Sequence, residues 1–138
     1  MKFVINIEPV PQARHRSTIR NGRIHTYEDN EMKFYKRNIA YLVKPQTDTC
    51  WANCALKLTA TFYITPPKYI SKVKKNQKAL EDETMSVFVK PDLDNYEKAL
   101  MDAINGICYK DDGQVAKKNA EKFYSYRPRI EFELEQII

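Results

Sequence analysis

The chain has 138 residues, 43% of them hydrophobic, and a mass of 16.3 kDa. That is the size of one ordinary domain, able to bury roughly 68–70% of its unfolded surface and neither disordered nor fibrous. Only three glycines argue against a sandwich or barrel rich in tight turns, and the net charge is +5. No apolar run approaches the ~18 residues of a membrane span, and the start MKFVINIEPVPQARHR lacks the apolar stretch of a signal peptide. The expectation is a single cytoplasmic domain over residues 1–138 with no membrane partner.

Lys2–Glu8 alternates, with Phe3, Ile5 and Ile7 on one face, which predicts a strand. Pro9 and Pro11 end it. The stretch that follows carries Arg14, Arg16, Arg20 and Arg23 without an acid, and Asn21-Gly22 within it signals a hairpin or tight turn. Tyr27–Lys44 reads as a helix opened near Glu28 or Asp29, with Phe34, Ile39, Tyr41 and Leu42 as an imperfect apolar stripe and Pro45 as its stop. Ala55–Thr65 is the clearest strand: Leu56, Leu58, Ala60, Phe62 and Ile64 share one face, and Lys57, Thr59, Thr61 and Tyr63 the other.

Pro66-Pro67 opens a segment with Lys68, Lys72, Lys74, Lys75 and Lys78 and no acid, either a short helix or a mobile stretch. Leu93, Tyr96, Leu100, Ala103 and Ile104 then predict a helix over about Asp94–Asn105, closed by Asn105-Gly106. A strand over Val115–Tyr124 follows, and Arg127-Pro128 leads into a last strand in which Ile130, Phe132 and Leu134 alternate with glutamates. The order predicts an α+β domain: a mixed, mostly antiparallel sheet of about four strands, helices on one face, and a C-terminal hairpin.

The three cysteines, Cys50, Cys54 and Cys108, lack the ligand spacing of a zinc site and read as reduced thiols. The informative stretch is Lys90-Pro91-Asp92-Leu93-Asp94-Asn95, followed after the helix by Lys110-Asp111-Asp112-Gly113-Gln114. From Pro91 to Val115 there are six acids against two lysines, between two basic stretches. That arrangement fits a polyanion held over a cation-binding carboxylate site. In extended chain Asp92 and Asp94 point to one side. Their plain structural role is helix capping: Asp94 with Glu97 matches a capping box, and Asp112-Gly113 alone is an ordinary turn. If the topology returns that turn beside Asp92 and Asp94, three carboxylates converge. Oxygen ligands without His or Cys then select Mg²⁺, Mn²⁺ or Ca²⁺. Lys98, one helical turn beyond Asp94, pairs with Asp94 or Asp102 in the plain reading. In the functional one it offsets charge on a pentacovalent phosphate.

The run KPDLDN-x-x-K-x-x-x-D-x-x-NG, then YKDD-x-QV, and the N-terminal Pro9, Pro11, Arg14, Arg16 pattern resemble the RusA family of Holliday-junction resolvases, phage- and prophage-associated endodeoxyribonucleases. The Lys-rich insert over Lys68–Lys78 departs from it. The resemblance implies a homodimer in a bacterial host cell that binds four-way junctions and makes paired nicks with Mg²⁺ or Mn²⁺, leaving ligatable ends. It implies Asp92, Asp94 and Asp112 as catalytic metal ligands, Lys98 as the essential lysine, and Asp111, Asn95, Asp102 and Gln114 in support. Arg14, Arg16, Arg20, Arg23, Lys72, Lys74 and Lys75 would contact phosphates, giving affinity without base readout. The rival readings are a non-catalytic phage DNA-binding or regulatory protein on the same fold, and a phosphoesterase acting on nucleotides or RNA.

Overall fold

A four-stranded sheet carries two long helices on one face. The computed structural model describes residues 1–13 and 16–138, with the backbone alone described at Arg16, His25 and Thr26. The strands are β1 (Lys2–Ile5), β4 (Ala55–Ile64), β5 (Val115–Tyr124) and β6 (Arg129–Ile137), while β2 (Arg16–Arg20) and β3 (Arg23–Tyr27) form a separate hairpin. The hairpin turns at Asn21 and Gly22, both at positive φ (50° and 75°). This backbone suits Asn-Gly and matches the twist of paired strands.

Helix α1 (Asn30–Val43) begins where the Asp29 carboxylate accepts from the Glu31 N–H. It buries Met32, Tyr35, Ile39 and Val43, and leaves Phe34, Tyr41 and Leu42 exposed. Only Ile39 of the expected stripe faces the core; the 3-4-4 spacing of the buried four is the true helical face. Helix α4 (Leu93–Ile104) buries Tyr96, Ala99, Leu100, Ala103 and Ile104. These two faces close over Phe3, Ile5, Leu56, Leu58, Ala60, Phe62, Ile130, Phe132 and Leu134 of the sheet. Burying each large side chain is worth about 1.5–3 kcal/mol. Phe3 and Phe132 stack at 4.5 Å between centroids.

The expected C-terminal hairpin is absent. β6 pairs antiparallel with both β1 and β4, and β5 pairs parallel with β4, so β4 lies between the last two strands. The connecting residues 125–128 step over the end of β4, where the Ser125 N–H donates to the Ile64 carbonyl at 2.9 Å. Two strand spacings are only about 10 Å, within reach of four residues.

The Lys-rich insert is folded. It forms α2 (Lys68–Ser71), a 3₁₀ turn at Lys74–Asn76 and α3 (Gln77–Asp82). Asn76 and Gln77 side-chain amides donate to the Ile70 and Ser71 carbonyls at 2.9 and 2.6 Å. Leu80 packs with Val87 and Tyr124 in a second small core. Glu83, in left-handed backbone just past α3, accepts from Arg129 at 2.6 and 2.9 Å and from the Ser125 hydroxyl at 2.6 Å. Arg129 first, then Ser125, hold the Glu83 carboxyl down to about 2. The Arg129 guanidinium in turn lies 3.8 Å over the Tyr63 ring. The insert is thereby pinned to the start of β6.

Candidate active site

Asp92, in extended backbone, is the N-cap residue of α4, but its side chain makes no capping hydrogen bond. Helix α4 thus starts two residues earlier than the Asp94-Glu97 box requires. Asp94 sits in the first turn, and Leu93 packs against the core between the two acids. Both carboxylates are exposed, and neither makes a hydrogen bond or ion pair among the described residues. The amino end of a helix carries partial positive charge, which favours acidic side chains and phosphate groups beside it.

Glu97 is buried (8% exposed) and pairs instead with Lys118 of β5, Nζ to Oε2 at 3.0 Å. The approach satisfies the charge while missing good hydrogen-bond geometry, so this oxygen counts as an ion-pair partner without an aligned donor. Lys98 projects from the next turn, 58% exposed at its side chain, 3.7 Å from the Asp102 carboxylate. Asp102 is shared with Lys36 of α1 at 3.1 Å, and Lys36 also reaches Glu28 at 2.7 Å. Asp102 therefore ties α4 to α1. Asn95 contributes its backbone carbonyl, which accepts from the Gln12 N–H at 2.9 Å.

The second acidic pair lies at the far end of α4. Asp111 and Gln114 form a capping box, around a 3₁₀ turn over Asp112–Gln114 rather than a plain β-turn. Gln114 also donates to the Trp51 and Cys54 carbonyls at 3.3 and 3.2 Å and accepts from the Lys110 and Asp111 N–H groups at 3.0 Å each. Its role is to seat this turn at the head of β4. Tyr109, buried, donates to the Met101 carbonyl at 2.8 Å, and burial first, then the Asp112 charge, push its phenol well above the ordinary range. Asp112 is half-buried and makes no hydrogen bond or ion pair through its side chain among the described residues.

The expected convergence within one chain does not occur. No group of three or more His, Cys, Asp or Glu residues is arranged to hold a metal among the described residues. The 12-residue helix α4, about 18 Å long, stands between the two motifs in the chain. Asp112 precedes Val115, which pairs with Leu56 at the start of β4, whereas the residues before Asp92 bond to Lys122. The strand path from Val115 to Lys122 covers about 23 Å. Two carboxylates remain together at the amino end of α4. With waters and a phosphate oxygen they are a sufficient donor set for Mg²⁺ or Mn²⁺, which typically take one or two protein carboxylates. The residues fit such an ion.

The basic residues lie away from these acids in the chain. Arg20 and Arg23 are exposed and directly paired at the hairpin tip, and Lys72, Lys74 and Lys75 are exposed on the insert. Arg14 lies outside the described residues, as does the side chain of Arg16. Sequence reasoning overlooked two lysines of β5. Lys118 and Lys122, four apart, share the strand face toward α4. Lys118 holds Glu97, and Lys122 donates to the Val89 and Pro91 carbonyls at 2.7 Å each. The even spacing of Lys118, Lys122 and buried Tyr124 was the available signal.

Residues 6–135 match the family described as Endodeoxyribonuclease RusA. A Bacillus subtilis (strain 168) protein named uncharacterized protein YqaN is 34% identical over 137 residues, covering 99% of this chain and 96% of the relative. The crossover junction endodeoxyribonuclease rusA of Lactococcus phage r1t is 26% identical over 140 residues, covering 99% of this chain and 98% of its own. With nearly the whole chain matched, the protein belongs to the RusA endodeoxyribonuclease family.

Proposed function

We propose that this endodeoxyribonuclease resolves four-way DNA junctions by paired, symmetric nicks, using Mg²⁺ or Mn²⁺ and acting as a homodimer. Each site would combine Asp92 and Asp94 of one protomer with Asp112 of the partner subunit. The observation that carries the reading is the pair of unpartnered carboxylates at the amino end of α4, with a third at the opposite end of the same helix. Among the described residues one protomer carries the Asp92–Asp94 pair once, while a junction presents two equivalent strands. A twofold dimer matches that symmetry through an isologous interface, and it is the arrangement that can bring a remote Asp112 to a second copy's pair. The name of the phage relative, a crossover junction endodeoxyribonuclease, supports the substrate class.

When bound, the cation supplies Lewis-acid polarisation of the scissile phosphate and a nucleophile at neutral pH. Asp92 and Asp94 would hold it, and the rigid helix end beneath them fixes their separation. Lys98, exposed one turn after Asp94 and loosely paired with Asp102, would offset charge gathering on the phosphate and the leaving 3′ oxygen. Ends of 5′-phosphate and 3′-hydroxyl type are expected. Arg20 and Arg23 at the hairpin tip, with Lys72, Lys74 and Lys75 on the insert, are the proposed phosphate contacts. Arg14 and Arg16 belong to the same proposed set.

The test is incubation with a synthetic four-way junction and a sequence-matched linear duplex, with Mg²⁺ and with EDTA. Paired nicks confined to the junction and to Mg²⁺ are expected. Junction binding without cleavage under either condition would favour a non-catalytic protein on this fold. Equal cutting of the duplex would remove the junction as substrate.

A further inference from the structure

The segment Phe88–Pro91, which delivers the chain to Asp92, belongs to neither helix nor strand. Phe88 is 91% exposed, and Val89 and Lys90 are exposed too. Such a strap gains little from burial, so its hydrogen bonds decide how well it is fixed. Among the described residues, those bonds converge on one side chain. The Lys122 ammonium donates to the Val89 carbonyl and to the Pro91 carbonyl, each at 2.7 Å. The Lys122 backbone carbonyl accepts from the Val87 N–H at 3.0 Å, on the other flank of Phe88. Beyond Pro91 the next tether is the Asp92 carbonyl itself, which accepts from the Asn95 N–H at 3.2 Å as the helix begins.

We propose that Lys122 is a positioning residue for Asp92: its ammonium clamps the Val89–Pro91 carbonyls and so fixes the residue that leads into the metal-binding pair. Three features support a role beyond ordinary strand packing. A β5 lysine spends two charge-assisted bonds on carbonyls, and no carboxylate neutralises it among the described residues. It grips the strap on one side of Asp92 while Lys118, on the same strand face, grips Glu97 on the other side of Asp94. The two acids thus sit on a helix end held from both flanks by one strand. Partners that orient a metal ligand commonly change metal affinity or activity by about 10–100-fold when removed.

The inference rests on the reading of Asp92 as a metal ligand, and the test separates the two. Full-length Lys122→Met and Lys122→Arg are compared with wild type and Asp92→Asn. The readouts are hydrogen exchange across residues 87–92, Mn²⁺ affinity of the DNA-free protein, and junction cleavage against Mg²⁺ concentration. Lys122→Met should speed exchange in that segment alone, weaken Mn²⁺ by about 10-fold and lower cleavage by about 10–100-fold at limiting Mg²⁺. High Mg²⁺ should recover part of the loss, and Lys122→Arg should restore all three readouts toward wild type. Lys122→Met with wild-type Mn²⁺ affinity, alongside an Asp92→Asn that binds Mn²⁺ weakly, would overturn the proposal and leave the site reading standing. Faster exchange throughout the chain would assign Lys122 to stability alone and overturn it equally. Wild-type cleavage by Asp92→Asn would overturn both readings.

Discussion

Asp92 and Asp112 stand at opposite ends of α4, the first as its N-cap residue and the second in the turn beyond its carboxyl end. The 12-residue helix between them is about 18 Å long, and no group of three or more such carboxylates is arranged to hold an ion among the described residues. If both serve one reaction centre, the centre is built from two copies of the chain. Sedimentation equilibrium at micromolar concentration should therefore return twice the 16.3 kDa chain mass, with or without junction DNA. A species that stays at the chain mass in both conditions, yet nicks both strands, would contradict this.

Asp92→Asn, Asp94→Asn and Asp112→Asn should each abolish cleavage while junction binding persists or tightens, because each removes a negative ligand beside a polyanion. None of the three carboxylates makes a hydrogen bond or ion pair among the described residues. Thermal unfolding should accordingly shift by no more than about 0.5 kcal/mol, as for other surface changes. Asp111→Ala is the contrast. Its carboxylate accepts from the Gly113 N–H at 3.3 Å and completes the capping box. It should cost about 1 kcal/mol of stability and leave most of the cleavage. Loss of cleavage in Asp111→Ala with full activity in Asp112→Asn would exchange their roles.

The Glu83–Arg129 clamp sets an acid limit on stability. The Glu83 carboxyl is lowered from its ordinary 4.5 to about 2, chiefly by the Arg129 hydrogen bonds. A depressed carboxyl contributes stability above its unfolded value and loses it as pH falls toward the folded one. Stability should therefore decline between about pH 4.5 and 2, and Glu83→Gln should flatten that part of the profile. Arg129→Ala should cost about 1.5–3 kcal/mol, since it removes the main partner of the Glu83 carboxylate and leaves Ser125 and the exposed Arg127 to hold it. An unchanged acid limb in Glu83→Gln, followed by circular dichroism, would remove the clamp from the pH response.

Changing Lys72, Lys74 and Lys75 together to Ala should weaken junction binding. The slope of log K against log salt should shrink by about 0.9 for each duplex phosphate that the lysines no longer neutralise. The insert is folded and anchored by Glu83, so the substitution should leave the melting temperature nearly unchanged. An unaltered slope would make these three lysines a solvated face.

The elements that the sequence made legible are those whose pattern is local. The alternation of Leu56, Leu58, Ala60 and Phe62 identifies β4, and Asn21-Gly22 identifies the β2–β3 turn. What was misread depended on distant partners. Residues 125–128 look like a hairpin loop, but the extra partner strand β4 enters from about sixty residues upstream, and no local signal reveals it. Phe34, Tyr41 and Leu42 are apolar enough to widen the apparent stripe of α1, although only the 3-4-4 set reaches the sheet. The DxD and DD motifs are what singles out the candidate acids in the sequence. Their separation along α4 was hidden because the motif spacing counts residues and says nothing of which end of the helix each occupies. The Lys122 clamp was hidden for a related reason: it joins two segments about thirty residues apart through backbone carbonyls, which every residue possesses.

Mixing two inactive proteins distinguishes a shared site from a site within one chain. Asp92→Asn and Asp112→Asn homodimers are each purified, shown to be inactive, and allowed to exchange subunits before addition of a four-way junction with Mg²⁺. In a heterodimer with shared sites, one site carries both substitutions and the other carries neither. Nicking of a single strand per junction should therefore return, at a rate proportional to the heterodimer fraction. If subunits demonstrably exchange and the mixture stays as inactive as its parents, each site lies within one chain and the two-protomer assembly of Asp92, Asp94 and Asp112 is wrong.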